Sequence, residues 1–212
     1  MGKAKWMYGK GTQGRIGNNS YYLRKGMQMI RQTGSNYTGS TSTAALIQQL
    51  IFSVLSAWAT TSFPGIKLGL LPHDVWDTAR TRFMSLNSGI VTVTDLESKA
   101  VEVDFPSLVC AEGRLVPPDA EVTFDEEAQS LAFTLAAQDP GIDCNEDDTI
   151  HALILSAGKR NRCLLKTLGT RGDGGMTSVS VPKYLDGELH VYVFATTADG
   201  KMASDSIYLP LA

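Results

Sequence analysis

The chain has 212 residues, 43% hydrophobic, 19% charged and 8% aromatic, with 20 Gly and 8 Pro, which excludes wholesale disorder and a collagen-like repeat. Three cysteines, an odd number, exclude a fully paired disulfide framework, and a mean hydropathy of -0.06 argues against a multi-span membrane protein. The net charge of -3 hides an asymmetry, because residues 1–73 hold eight bases and no acid while residues 74–212 hold all 22 acids and the other 11 bases, +8 against -11.

Soluble surfaces ordinarily intersperse both signs, so the two parts are expected to live in different surroundings. Residues 1–42 are rich in Gly, Ser, Thr, Asn and basic residues. Residues 15–24 read as an extended, Gly-interrupted strand, Lys25-Gly26 as a turn, and residues 27–31 as a return strand. Met27, Met29 and Arg31 then share one face, with Gln28 and Ile30 on the other. Gly26 sits where a hairpin turn needs positive φ. A hairpin of this size is not stable alone and needs something to lie on.

Ser42 or Thr43 can cap a helix over residues 44–59, whose apolar positions 47, 50, 51, 54, 55 and 58 recur at helical spacing. With Gln48 and Gln49 inside, it is short and interrupted for a membrane span, and it reads as a nearly fully buried core or interface helix. Phe63-Pro64-Gly65 is expected to break the chain. A second helix is predicted over about 72–86, with Val75, Trp76, Ala79, Phe83 and Leu86 on one stripe and Asp74 and Asp77 in its first turn. Asn87-Ser88-Gly89 suits its C-cap.

From about residue 90 the pattern changes to short strands with turn punctuation, at 90–94, 101–104, 121–125, 130–136, 149–156, 161–168, 176–181, 188–196 and 202–209. Leu131, Phe133 and Leu135, and likewise Leu189, Val191 and Val193, alternate as inward positions. The expected fold is α+β, mainly β: an N-terminal hairpin arm and two helices, then an antiparallel Ig-like or fibronectin-III-like β-sandwich. The boundaries are 1–42 for the basic arm, 43–98 for a helical assembly segment and 99–212 for the sandwich. The Cys…Trp…Cys spacing of an antibody-type domain is absent.

No stretch carries a catalytic signature. Gly9-Lys10-Gly11-Thr12-Gln13-Gly14 lacks the terminal Lys-Ser/Thr pair and the preceding strand of a phosphate-binding loop. His73, His151, His190, Cys110, Cys144 and Cys163 form no short-spaced ligand pair for zinc, although His151 and His190 fall in strands where neighbouring imidazoles could meet. Without a disulfide pattern the chain is compatible with a reducing cytoplasm. Asp139, Asp143, Glu146, Asp147 and Asp148 make an acidic cluster without EF-hand spacing, read as a solvated loop in preference to a weak calcium site. Arg171-Gly172-Asp173 is the integrin tripeptide, but the following Gly174-Gly175 suits a hairpin tip. The expectation is no enzyme, no cofactor, no metal and no small-molecule substrate.

The basic first third could follow a phosphate backbone, with Trp6, Tyr8, Tyr21 and Tyr22 interleaved among its bases, or dock on an acidic protein surface, including that of a neighbouring copy. Its eight charges are sparse for a nucleic-acid arm, which favours protein docking.

Met1-Gly2-Lys3, the run from Gly14 to Asn18, Tyr21-Tyr22, and Lys25-Gly26 with Ile30-Arg31 resemble the N-terminal pattern of a family of uncharacterised proteins from Bacteroidetes and their phages and prophages. His190-Val191-Tyr192-Val193-Phe194, Asp199-Gly200-Lys201 and the run from Ala203 to Leu209 are similar to that family's closing hairpin. The chain departs from the family at Gly34-Ser35-Asn36-Tyr37-Thr38-Gly39-Ser40, where members carry Pro and more charge.

The resemblance implies a glycine-punctuated hairpin, a helical segment, a β-sandwich and a structural role in a bacteriophage or prophage particle. Self-association through the N-terminal part would cover the apolar helix. The residues expected to carry assembly are Arg15, Tyr21, Tyr22, Arg24, Lys25, Ile47, Leu50, Ile51, Val54 and Trp58. Partners are then own copies and other virion proteins, with no membrane span. The location is the virion, after synthesis in the bacterial cytoplasm, since no apolar signal region follows the basic start. The competing reading is a binding module whose sandwich loops recognise a cell-surface glycan or protein.

Overall fold

The computed structural model describes residues 2–3, 13–32, 42–74, 77–158 and 160–211. The glycine-rich stretch at 9–12, Trp6, Tyr8, the 34–40 segment, and Val75 and Trp76 of the expected second helix lie outside the described residues. The chain is mainly β and divides into two compact units, Met1–Ser42 and Thr43–Ala212.

The first unit is one antiparallel sheet of β1 (Gly2–Lys3), β2 (Gly14–Ile16), β3 (Asn19–Arg24) and β4 (Met27–Gln32), in the order β1-β4-β3-β2. What reads as one strand from Arg15 to Arg24 is itself a hairpin, because Gly17 takes φ 58° and turns the chain at Gly17-Asn18. Lys25 and Gly26 both have positive φ, 48° and 75°, the pattern of a type I′ turn that matches strand twist. The turn sets the register Tyr22 opposite Met29 and Tyr21 opposite Ile30. Tyr21 and Met29, on opposite faces, are the buried hydrophobic residues of this small sheet.

The second unit begins with α1 (Thr43–Thr61), α2 (Phe63–Gly69) and α3 (Ala79–Leu86). Helix α1 does end at Thr61, just before Phe63-Pro64-Gly65, but that stretch is itself helical, with Pro64 in the first turn of α2, where a missing N–H costs nothing. The second predicted helix begins later than residue 72. Thr78 caps α3, accepting a hydrogen bond from the Thr81 amide at 3.1 Å, while the Thr81 hydroxyl accepts one from the Thr78 amide at 2.9 Å. Asp74 and Asp77 therefore precede the helix instead of occupying its first turn.

The strands that follow are β5 (Val91–Asp95), β6 (Ala100–Val103), β7 (Ala120–Asp125), β8 (Ser130–Leu135), β9 (Thr149–Ala157), β10 (Arg162–Thr170), β11 (Gly175–Ser180), β12 (Glu188–Thr196) and β13 (Ile207–Leu209). The strand expected over 202–209 shrinks to β13, with Ala203 and Ser204 making single bridges to Thr196 and Leu115. All named ladders are antiparallel: β10-β9-β12-β13, β11-β8-β7, and the pair β5-β6.

Two apolar clusters hold these layers together. In the first, Leu131, Phe133, Leu135 and Val179 of the three-stranded sheet meet Ile150, Ile154, Val191 and Val193 of the four-stranded sheet. The alternation of residues 131, 133 and 135 thus faces this core. In the second, Leu153, Leu155, Tyr192 and Phe194, on the opposite face of the four-stranded sheet, pack with Trp58, Ile66, Leu70 and Phe83 of the helical segment. Residues 43–98 and 99–212 therefore share a core within one compact unit. Gly113 allows a close backbone crossing here, since a Cβ on it would lie 1.9 Å from the Ala203 carbonyl oxygen.

Candidate functional site

Helix α1 has 19 residues without a charged side chain. Its buried residues are Leu55, Trp58 and Ala59, near the C-terminal end. Trp58 is 3% exposed and meets the Phe105 ring edge-on at 5.2 Å, so it is spent inside its own chain. Ile47, Leu50, Ile51 and Val54 are half-buried. Phe52 is 63% exposed and Leu46 39%, and neither belongs to the periodic stripe.

The expected core helix is thus buried along one stripe within its chain, with 17% of its most apolar window buried. By length and hydropathy, 1.3 over that window, it is also long and apolar enough to cross a membrane. Between α1 and α3 runs a groove of about 460 Å³, lined by Ile51, Phe52 and Leu55 on one side and Met84 and Ser85 on the other. Sequence reasoning missed Phe52 and Leu46. The available signal was an aromatic standing off the stripe of an uncharged helix.

The five candidates in the N-terminal unit are spread over its hairpins. Arg15 is exposed on β2 and its Nε donates to the Gly17 carbonyl at 3.1 Å. Arg24 and Lys25 are exposed at the β3–β4 turn, Tyr22 is half-buried and Tyr21 is buried.

The remaining candidates resolve into packing. His151 and His190 lie on adjacent strands but do not meet, being paired with Phe194 and Leu155 respectively. The His151 ring lies 3.0 Å from the Thr196 hydroxyl and 3.3 Å from that of Thr167. His190 stacks on Phe105 at 3.7 Å, with Tyr208 Oη 3.4 Å from its Nδ1 and the Glu188 carboxylate 4.0 Å from its Nε2.

Burial pulls both imidazoles below their usual pKa, with Glu188 opposing it at His190. The unfolded chain then binds protons more readily than the folded one as pH falls below about 6.5, so this share of stability is complete above that value and is lost beneath it. The thermal midpoint is expected to drop between pH 7 and pH 5, and the double variant H151N/H190N to flatten that slope. A slope unchanged in the variant contradicts the assignment.

Cys110, Cys144 and Cys163 are free, and burial pushes the Cys110 and Cys163 thiols up, away from thiolate character at neutral pH. Among the described residues no group of His, Cys, Asp and Glu is arranged to hold a metal ion.

Within the acidic stretch Asp148 is fully buried and its Oδ2 lies 3.3 Å from Nε of Arg171, itself fully buried. Arg171 also donates to the Gln138 side chain and, at 2.6 Å, to the Val116 carbonyl. The Arg-Gly-Asp tripeptide therefore cannot present its arginine, and the acidic stretch is pinned from beneath. Neither a scan against protein-family models nor a search of curated proteins gives a match to the chain.

Proposed function

We propose that the chain is a non-enzymatic structural component of a bacteriophage or prophage particle. It assembles with its own copies, and with other virion proteins, through residues 1–98 and turns an Ig-like β-sandwich outward. The observation that carries this reading is apolar surface left open on α1: Phe52 stands in solvent at the α1–α3 groove and Leu46 is exposed earlier on the same helix, which carries no charge. Exposed apolar patches of this kind are characteristic of interaction surfaces. Two antiparallel sheets around one core, β10-β9-β12-β13 and β11-β8-β7, support the Ig-like assignment. The likeness of both chain ends to phage and prophage proteins supports the particle context.

The test is the double variant L46E/F52E. Placing two carboxylates on exposed positions of α1 is expected to convert the assembled chain into monomer while changing the unfolding free energy of the monomer by no more than about 0.5 kcal/mol per site, the usual range for exposed substitutions. Assembly that survives both carboxylates rejects α1 as the assembly face.

A further inference from the structure

The four-stranded and three-stranded sheets of the second unit are closed unequally at their seams. Along one, β10 runs beside β11; along the other, β13 runs beside β7. But β13 is three residues long, and its ladder ends with Val191 opposite Leu209. Glu188, Leu189 and His190 of β12 are therefore paired on the β9 side and receive no ladder from β13. Strand β7 pairs with β8 from Ala120 to Asp125, and among the described residues its other edge carries no ladder.

Where β13 stops, a groove of about 550 Å³ opens, lined by Phe124, Val181, Leu185, Leu189 and Leu211, with Glu126 beside them. Its rim carries a net negative charge. Glu126 lines the groove, and Asp125, Glu127, Asp186 and Glu188, the sequence neighbours of its lining residues, are exposed, against one exposed base, Lys183, in the same segments. An unpaired strand edge, an apolar floor and a carboxylate rim together fit an extended, cationic segment with an apolar side chain beside its charge.

This chain carries such a segment. Among the described residues strand β2, Gly14-Arg15-Ile16, is the outermost strand of its sheet and exposed at every residue, with Ile16 45% exposed. Arg15 and Ile16 project to opposite sides of the strand. No acid lies within residues 1–73 to offset Arg15.

We infer that β2 of one copy adds to the free edge of β7 in a second copy, with Ile16 on the apolar floor and Arg15 among the rim carboxylates. Donor and acceptor are different surfaces, so the contact is heterologous and propagates into a ring or a filament. It is also weakened by salt. The inference rests on the self-assembly proposed above and names a contact that α1 does not make.

The test uses full-length chains bearing R15E or E126R, alone and mixed, with sedimentation velocity at about 0.05 M and 0.5 M salt, straddling the screening range. Each variant alone is expected to associate at least about tenfold more weakly than the parent at low salt, because like charges then meet at the contact. Mixing the two restores association, since the β2 strand of the R15E chain suits the β7 edge of the E126R chain and each parental surface finds its complement. Both side chains are exposed, so unfolding midpoints serve as the folding control. Parental association by both variants, or a mixture no stronger than its components, overturns the β2–β7 contact. If the parent is dispersed by L46E/F52E but indifferent to the charge swap, this inference alone fails. A monomeric parent overturns it together with the reading on which it rests.

Discussion

Replacing Arg171 by Met is expected to destabilise the second unit by about 3–5 kcal/mol, the range for removing one partner of a buried ion pair. The guanidinium is fully buried and joins residues distant in sequence: Asp148 through Nε, Gln138 through its side chain, and Val116 through its main-chain carbonyl. Its own amide donates to the Asp148 carbonyl at 2.8 Å. Without it the Asp148 carboxylate is left as an uncompensated charge in a dry site, and three segments lose their common anchor. Since a small domain has only about 5–15 kcal/mol in total, much of the population should be unfolded or loosened at 37 °C. Urea denaturation followed by circular dichroism measures the loss. Adding D148N should return a large part of it, because the stranded charge is then gone; a single-variant cost below about 1 kcal/mol would contradict the anchoring role.

F83A carries the other large effect, again about 3–5 kcal/mol for a fully buried aromatic truncated in a packed core. Phe83 belongs to α3, yet its cluster includes Leu153, Leu155, Tyr192 and Phe194 from the central strands of the four-stranded sheet. The helices therefore act as a layer over that sheet, and the cavity should lower one cooperative transition for helix and strand signals alike. Two transitions, with the strand signal at its parental midpoint, would instead mean that helices and sheet fold separately.

The strand pattern after residue 90 was legible because turn dipeptides and alternating residues such as 131, 133 and 135 leave a period of two in the sequence. The cover on the second face of the sheet was missed, although the sequence held a signal for it. Ile150-His151-Ala152-Leu153-Ile154-Leu155 and Leu189-His190-Val191-Tyr192-Val193-Phe194-Ala195 are nearly unbroken apolar runs, whereas a half-solvated strand alternates. Helix α2 was hidden because Pro64 breaks a helix interior but suits its first turn, a distinction of position and not of composition. Gly17-Asn18 was a turn signal inside an apparent strand. The Arg171–Asp148 pair had no local signal at all, since its partners meet only after β9, β10 and their loops are in place.

For the candidate assembly surface, the periodic stripe of α1 was readable, but its tail end, with Leu55 and Trp58, turned out to face the protein's own core. Leu46 and Phe52 are the large apolar side chains of α1 left exposed. Which side of an apolar helix is covered depends on the tertiary partners, here α3 and β5, and not on the helix's own spacing.

The central claim is that this chain is built to assemble, and the molar mass of the full-length protein, taken by light scattering across a concentration series, tests it most directly. A defined multiple of 22.9 kDa, or mass growing with concentration into larger assemblies, is the expected result. A constant 22.9 kDa up to concentrations at which subunit contacts normally form would mean that the α1 face is tolerated in solvent and that the chain acts as a single copy.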